Sequence, residues 1–255
     1  MAAPPPPARR HRLAAALLAA LAGADAGAGA AQDPDDALPQ LLARHVASRG
    51  DDAAWSEVAA IEVRGTLGAN GREHAVRLVR DRRGRARFES RYRELTRIFV
   101  DDGERGFLRD WRGEAFAPLD AATREQWLQD VDLLLSFPRY FERYARIESA
   151  GVGAAADGRE LLVLRLVPAA GQVLELALDP ATGRAEGGRY RYRDAEDGGT
   201  YEMQLMVMDQ LEVAASRGSI RIPGYQEREQ GTALTSWVPE HVELLAEVAD
   251  RRFRP

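Results

Sequence analysis

From Ile61 onward the chain alternates apolar and polar residues with a period of two, and turn signals interrupt it at short intervals. In "HAVRLVR", Ala75, Arg77 and Val79 fall on one face and Val76, Leu78 and Arg80 on the other. The interruptions are "GANGR", "DRRGR", "DDGE" and "WRGE", whose Gly, Asn and Asp suit tight turns. Strands separated by so few residues can only pair antiparallel, because a parallel neighbour needs a crossover of a dozen residues or more. The pattern resumes in "RELLVLRLV", "QVLELAL", "RYRYRD" and "TYEMQLMVM". Leu174, Leu176 and Leu178 share one face, and Tyr190 and Tyr192 alternate with Arg, as in a sheet with one wet side.

Two stretches break this period. "ALPQLLARHVASRG" spaces Leu38, Leu41, Leu42 and Val46 as one helix face, with Gly50 at the stop. Between the two β regions, "DAATREQWLQDVDLLLSFPRYFERY" places Trp127, Val131, Leu134 and Leu135 on a second helix face. Thr123 and Gln126 fit a capping box, and Pro138 separates a short helix bearing Tyr140, Phe141 and Tyr144. A helix must bury one face, so this insertion lies against the sheet or over a cavity.

The first 30 residues read as a secretory signal: Arg9, Arg10 and Arg12, an apolar run from Leu13 to Leu21, then the small triplet Ala28, Gly29, Ala30. The run is far shorter than the ~20 apolar residues of a membrane span. Residues 31–255 are then expected to form one domain, soluble in the periplasm. Composition is that of an ordinary globular chain, 45% hydrophobic and 29% charged. Cysteine is absent, which excludes disulfides, thiol nucleophiles, thiolate metal sites and acylation of the chain itself. Losing three Arg and one Asp with the signal shifts the net charge from −5 to −7, which disfavours nucleic acid and anionic membrane as partners.

Catalytic and metal patterns are missing: there is no H-E-x-x-H, G-x-S-x-G, P-loop or dinucleotide fingerprint. No metal or cofactor is expected. His45, His74 and His241 are scattered and read as surface residues. Asp101, Asp102 and Glu104 in "FVDDGERGF" lack the spacing of a calcium loop and read as a hairpin turn completed by Gly103. Two carboxylates brought together by the fold, as in a glycoside hydrolase, stay open as an alternative. Three of the four Met, Met203, Met206 and Met208, lie in one strand, and Met suits a surface that must repack around flexible chains.

The order of signal, helix, hairpins, helical insertion and hairpins resembles the periplasmic outer-membrane lipoprotein-carrier family, with its lipoprotein-sorting and sigma-regulator relatives. "RRGRARFES", "IFVDDGERGFLRD", "LVLRLVPAAGQVLELALDPATGRAEG" and "LAEVADRRFRP" are similar to its strand and hairpin segments. "ASRGSIRIPGYQEREQGTALTSW" fits that pattern poorly and reads as an elaborated hairpin. The resemblance implies a mostly β chain with some α, an unclosed antiparallel half-barrel covered by a helical lid. It implies a non-enzymatic carrier that holds acyl chains of a lipoprotein or other envelope lipid for transfer toward the outer membrane. Partners would be an inner-membrane donor and an outer-membrane acceptor; a lipid-sensing envelope-stress domain is the alternative on the same scaffold. Phe88, Trp127, Leu134, Leu135, Phe141, Leu174, Leu176, Met206 and Met208 would line the acyl cavity. Arg83, with Arg85 as the near alternative, would latch the lid.

The exported form should begin near Ala31, which N-terminal sequencing reads directly. Recovery of the intact segment from Arg9 to Leu21 in membranes would overturn the signal assignment.

Overall fold

The computed structural model describes residues 34–69, 71–155, 157–193, 199–207, 209–230 and 233–255; the signal segment lies outside them, as does Met208. Helix α1 (Pro34–Ser48) and the short α2 (Asp52–Glu57) lead into a meander of β1 (Ala60–Ala69), β2 (Arg72–Asp81), β3 (Ala86–Tyr92), β4 (Leu95–Asp101), β5 (Gly106–Arg109) and β6 (Ala117–Pro118). Helix α3 (Ala121–Leu134) and a 3-10 turn (Tyr140–Arg143) follow. Then come β7 (Arg146–Ala154), β8 (Glu160–Val167), β9 (Leu174–Leu178), β10 (Ala185–Arg193) and β11 (Thr200–Val207). The chain continues through β12 (Gln210–Ala215), β13 (Gly218–Pro223), β14 (Gln226–Gln230) and β15 (Ala233–Leu245) to a C-terminal 3-10 turn (Asp250–Phe253).

Thirteen strands form one antiparallel sheet in the order β6-β5-β4-β3-β2-β1-β15-β14-β11-β10-β9-β8-β7. The sheet does not close: β6 and β7 are its two edges, so it is an unclosed half-barrel. The last strand fits between the two meanders, pairing with β1 from Ala60↔Leu245 to Ala69↔Thr235 and with β14 on its other side. Hairpin β12–β13 leaves the sheet, and its Ile220 and Ile222 pack under α2 with Trp55, Ile61 and Trp237. The segment that fits the family pattern poorly is therefore partly a cover element and partly two central strands.

The described α-helices lie on one face. Val63, Leu78, Phe88 and Phe99 present that face from β1 to β4, and α3 lays Leu128, Val131, Leu134 and Leu135 on them. A second cluster joins Leu41 of α1, Leu133 of α3 and Tyr140, Phe141 and Tyr144 to Leu164, Leu166, Leu174, Leu176, Leu178, Tyr190 and Leu205 of the other meander. Alternation decides which side chains belong. Leu205 faces the helices with Met203 and Val207, whereas Met206 sits on the opposite face with Leu161, Val163 and Ala177. The placement of Met206 beneath the cover is corrected by strand parity.

Local chemistry explains the helix ends. Asp120, not Thr123, caps α3: its carboxylate accepts from the Thr123 backbone N–H at 2.8 Å. Gly50 ends the α1 region at φ +112°, where a Cβ would lie 2.4 Å from the Ser219 carbonyl oxygen. His45 is buried, contrary to the surface assignment, because it lies one turn after Leu41 on the apolar stripe. Its Nδ1 hydrogen bonds the Gly183 carbonyl at 2.8 Å, and Gly183 itself has no room for a side chain against the α1 backbone.

In the β4–β5 turn, Asp102 Oδ1 accepts from the backbone N–H of Glu104 and Arg105, as a turn residue does. Asp101 is fully buried and also accepts two bonds from the Arg124 guanidinium of α3, so it is more than a turn residue. Asp102→Asn should leave stability within ~0.5 kcal/mol of wild type. Asp101→Asn should cost ~1–3 kcal/mol, because the Arg124 cation loses its carboxylate. Urea denaturation of the two variants distinguishes them; equal midpoints would show that Asp101 only turns the chain.

Burial first, then the Arg49 cation, lower His45 from its ordinary 6.5 to about 4, against the Gly183 carbonyl, which raises it. Between those values the unfolded chain binds the extra proton, so stability is full above pH 6.5 and falls as pH drops toward 4. The loss from this one group should be ~3 kcal/mol. Urea midpoints measured from pH 7 to pH 4 should fall less steeply in His45→Asn; an unchanged slope would show that His45 is not held neutral.

Candidate functional site

The cover is fastened to the sheet by charged side chains, and these define the site. Asp132 lies on the buried side of α3, between Val131 and Leu133. Its Oδ1 accepts from Arg80 Nη2 of β2 at 2.9 Å, and its Oδ2 accepts from Arg143 Nε at 2.6 Å. Arg143 also donates to both oxygens of Glu125. Two residues before Asp132, Asp130 accepts from Arg228 Nη1 of β14 at 2.7 Å and from the Tyr190 hydroxyl of β10. At the helix start, Arg124 grips Asp101, and beyond its end Arg49 donates to the Ser136 carbonyl at 2.7 Å. The helix is therefore tied to both meanders.

The electrostatics follow from burial. Burial alone lowers Arg143, but Asp132, Tyr144 and Glu125 outweigh it and hold the guanidinium well above its usual value. Burial, then the Asp132 charge, raise the Tyr140 and Tyr144 hydroxyls, so both stay protonated. Burial lowers Arg49 to about 10. Arg49 pairs with no carboxylate among the described residues, and its Nε is buried without an acceptor. The Glu125 carboxyl is raised by burial, with Arg143 opposing.

Beside the Arg80–Asp132 pair the surface opens into a cleft of about 470 Å³, between the α1–α2 region, the β2–β3 turn and the 3-10 turn after α3. Trp55, Phe137 and Tyr140 form apolar walls, with the rings of Trp55 and Phe137 5.3 Å apart. Arg80, Arg82, Arg83, Arg139 and Arg143 contribute the cationic lining.

The expected acyl-lining residues divide between the two packed clusters. Phe88, Trp127, Leu134 and Leu135 come together in the first, where the Trp127 indole stacks on Phe99 at 5.2 Å. Phe141, Leu174 and Leu176 come together in the second. Met206 is on the other face, and Met208 lies outside the described residues. Arg83 is exposed in the β2–β3 turn and does not reach α3; Arg85 bonds Asp81 and Asp250 and lies over the Phe253 ring. Of the arginines around the β2–β3 turn, the one that reaches the helix is Arg80. It shares strand parity with Val76 and Leu78, and an Arg on an apolar face next to an Asp within an apolar helix stretch is the signal that points to such a pair.

No protein-family model matches the chain, and no curated protein matches it in sequence. Among solved structures it superposes on a DUF1329 family protein from Desulfovibrio piger with a TM-score of 0.54 and 11% identity, over 88% of this chain and 98% of that one. LprF from Mycobacterium bovis (TM-score 0.28, 12% identity, 84% and 95% covered) and the MucA/MucB complex of Pseudomonas aeruginosa (0.23, 11%, 86% and 100%) overlap far more loosely. What these comparisons establish is the fold: the chain is similar to the DUF1329 family protein in its overall architecture.

Proposed function

We propose that the protein is a non-enzymatic carrier of the cell envelope that takes acyl chains of a lipid or lipoprotein between the covered face of its sheet and the helical cover, for transfer toward the outer membrane. The observation that carries this reading is the fastening of α3 through Arg80–Asp132, Arg124–Asp101 and Arg228–Asp130, on the one covered face of an unclosed sheet. A buried ion pair adds little net stability, because desolvation offsets most of its attraction, but it fixes register. When such a pair separates into water, hydration returns to both charges. A cover latched this way opens at lower cost than one sealed by apolar contact alone.

An acyl chain can then replace side-chain packing with packing of the same kind. Burying a long chain contributes on the order of 12 kcal/mol gross, at ~0.8 kcal/mol per CH₂, and opening the two apolar clusters offsets part of it. Release requires that offset. No helix among the described residues is long and apolar enough to cross a membrane.

The test uses an uncharged fluorescent monoacylglycerol titrated into the exported protein, with mass spectrometry of organic extracts from gently purified material. The probe should bind saturably, and an envelope lipid should co-purify. Arg80→Met leaves Asp132 paired with Arg143 and should speed probe release about tenfold, since ~1.4 kcal/mol of latch corresponds to that factor. A wild-type protein that neither binds the probe nor carries lipid would refute the carrier reading.

A further inference from the structure

We propose that the cleft beside the β2–β3 turn is a binding site for a phosphate-type oxyanion, the charged head of the amphipath whose acyl part lies under the cover. The lipid source rests on the carrier reading; the oxyanion site itself does not. Three observations point there.

The first is the charge left over once every pair is made. Among the acidic lining residues, Asp81 is taken by Arg85 at 2.7 Å and Glu142 by Arg139 at 2.9 Å, leaving Asp52. Arg143 is held by Asp132 and Glu125. Arg82 and Arg83 have no carboxylate within 4.0 Å among the described residues. Arg82 and Arg83, neither of them ion-paired, therefore face one free carboxylate in this cleft, with Arg83 also acting on the Asp250 carboxyl on its other side, in a chain whose overall charge is negative.

The second is Arg80, which is 3% exposed and lines the cleft. Its Nη2 bonds Asp132, while its Nη1 is buried with no acceptor. A buried cationic donor left without a partner leaves uncompensated positive charge beside the cleft, which favours an anion there.

The third is preorganisation. Arg82 Nη2 donates to the backbone carbonyls of Trp55 and Val58, which fixes the guanidinium and leaves its Nε and Nη1 available. A planar fork held in place loses little freedom on meeting a tetrahedral oxyanion. The cleft on the other side of Arg82 and Arg83, about 460 Å³, offers a contrast: Glu57, Glu247 and Asp250 line it, which disfavours an anion there. The apolar walls Trp55 and Phe137 suit the first carbons behind the head group.

The exported protein is titrated with dihexanoyl phosphatidylglycerol below its micelle concentration, with uncharged dihexanoylglycerol and with inorganic phosphate, and compared with the double variant Arg82→Gln/Arg83→Gln. The double variant gives up the Arg82 bonds to the Trp55 and Val58 carbonyls and should melt somewhat lower, so Arg83→Gln alone, which breaks no such bond, serves as the folding control. Wild type should bind the phosphatidylglycerol at least tenfold more tightly than the uncharged lipid, and the double variant should lose that preference while binding the uncharged lipid unchanged. Added salt should weaken only the charged ligand. Binding of inorganic phosphate that the variant abolishes, with neither lipid bound, would keep the oxyanion site, assign it to free phosphate and sink the carrier reading. Equal binding of both lipids by both proteins would overturn the oxyanion site and leave the carrier reading standing. Failure of phosphate and phosphatidylglycerol alike to bind would overturn the site.

Discussion

The path of the chain between the two sheet edges constrains everything else. Strand β6 ends one edge and β7 begins the other, so residues 119–145 must cross the whole sheet. Thirteen strands at about 4.8 Å spacing span ~58 Å along the sheet. The 14 residues of α3 supply only ~21 Å of this. A flat sheet would require the rest of the linker to be almost fully stretched, yet it contains the 3-10 turn Tyr140–Arg143. The sheet therefore curls around the crossing segment, and α3 becomes its cover by topology before any side chain is considered.

That crossing explains why the polar groups of α3 are placed as they are. The helix touches both meanders, so an acid on its buried side meets cations from both. Asp132 reaches Arg80 on β2, and Asp130 reaches Arg228 on β14, across the strands β1 and β15 that join the two halves. Between them the two acids form a polar seam dividing the apolar clusters. Leu128, Val131, Leu134 and Leu135 pack to one side of it and Leu133 to the other. A helix resting on apolar contacts alone would tolerate a slip along its axis; two charged pairs in fixed register do not.

Strands, helices and most turns were legible because they depend on local period and on Gly, Asn and Asp at tight positions. The parity of "QVLELAL" placed Leu174, Leu176 and Leu178 together, and they are together. What was not legible depends on pairing between distant segments. Nothing local in "LTSWVPEHVELL" says that it inserts beside β1, nearly the whole chain away. Met206 was assigned to the covered face for its chemistry, whereas Leu205 between Met203 and Val207 is the fuller apolar face and is the one covered. His45 and Arg80 were recoverable, since each stands on an apolar face of its own element, where a polar side chain requires a partner across the fold. A latch at Arg83 is what the family resemblance implies, but Arg83 sits exposed in the β2–β3 turn, away from the helix on the covered face.

The opposite face braces the sheet from behind, whereas the cover lies against it through side chains alone. Behind β1 to β3, Glu62 is buried beneath Arg64, Arg77 and Arg252, with distances of 2.7 to 3.0 Å. Arg77 first, against burial and together with Arg64, lowers its carboxyl to about 2, so the cluster stays charged throughout the neutral range. The C-terminal turn adds Phe253, fully buried under the Arg85 guanidinium at 4.5 Å. This pins the end of the chain to β3 on the side away from the helices. The strands are thus braced from behind by a charge cluster and a buried ring, and laterally by ladder hydrogen bonds. Helix α3 is held only by side chains and by its two connections. On the proposed reading, displacement of α3 costs two apolar clusters and a polar seam that water can rehydrate, while displacement of any central strand would break two ladders as well. The carrier reading accordingly assigns opening to the element that roofs the covered face.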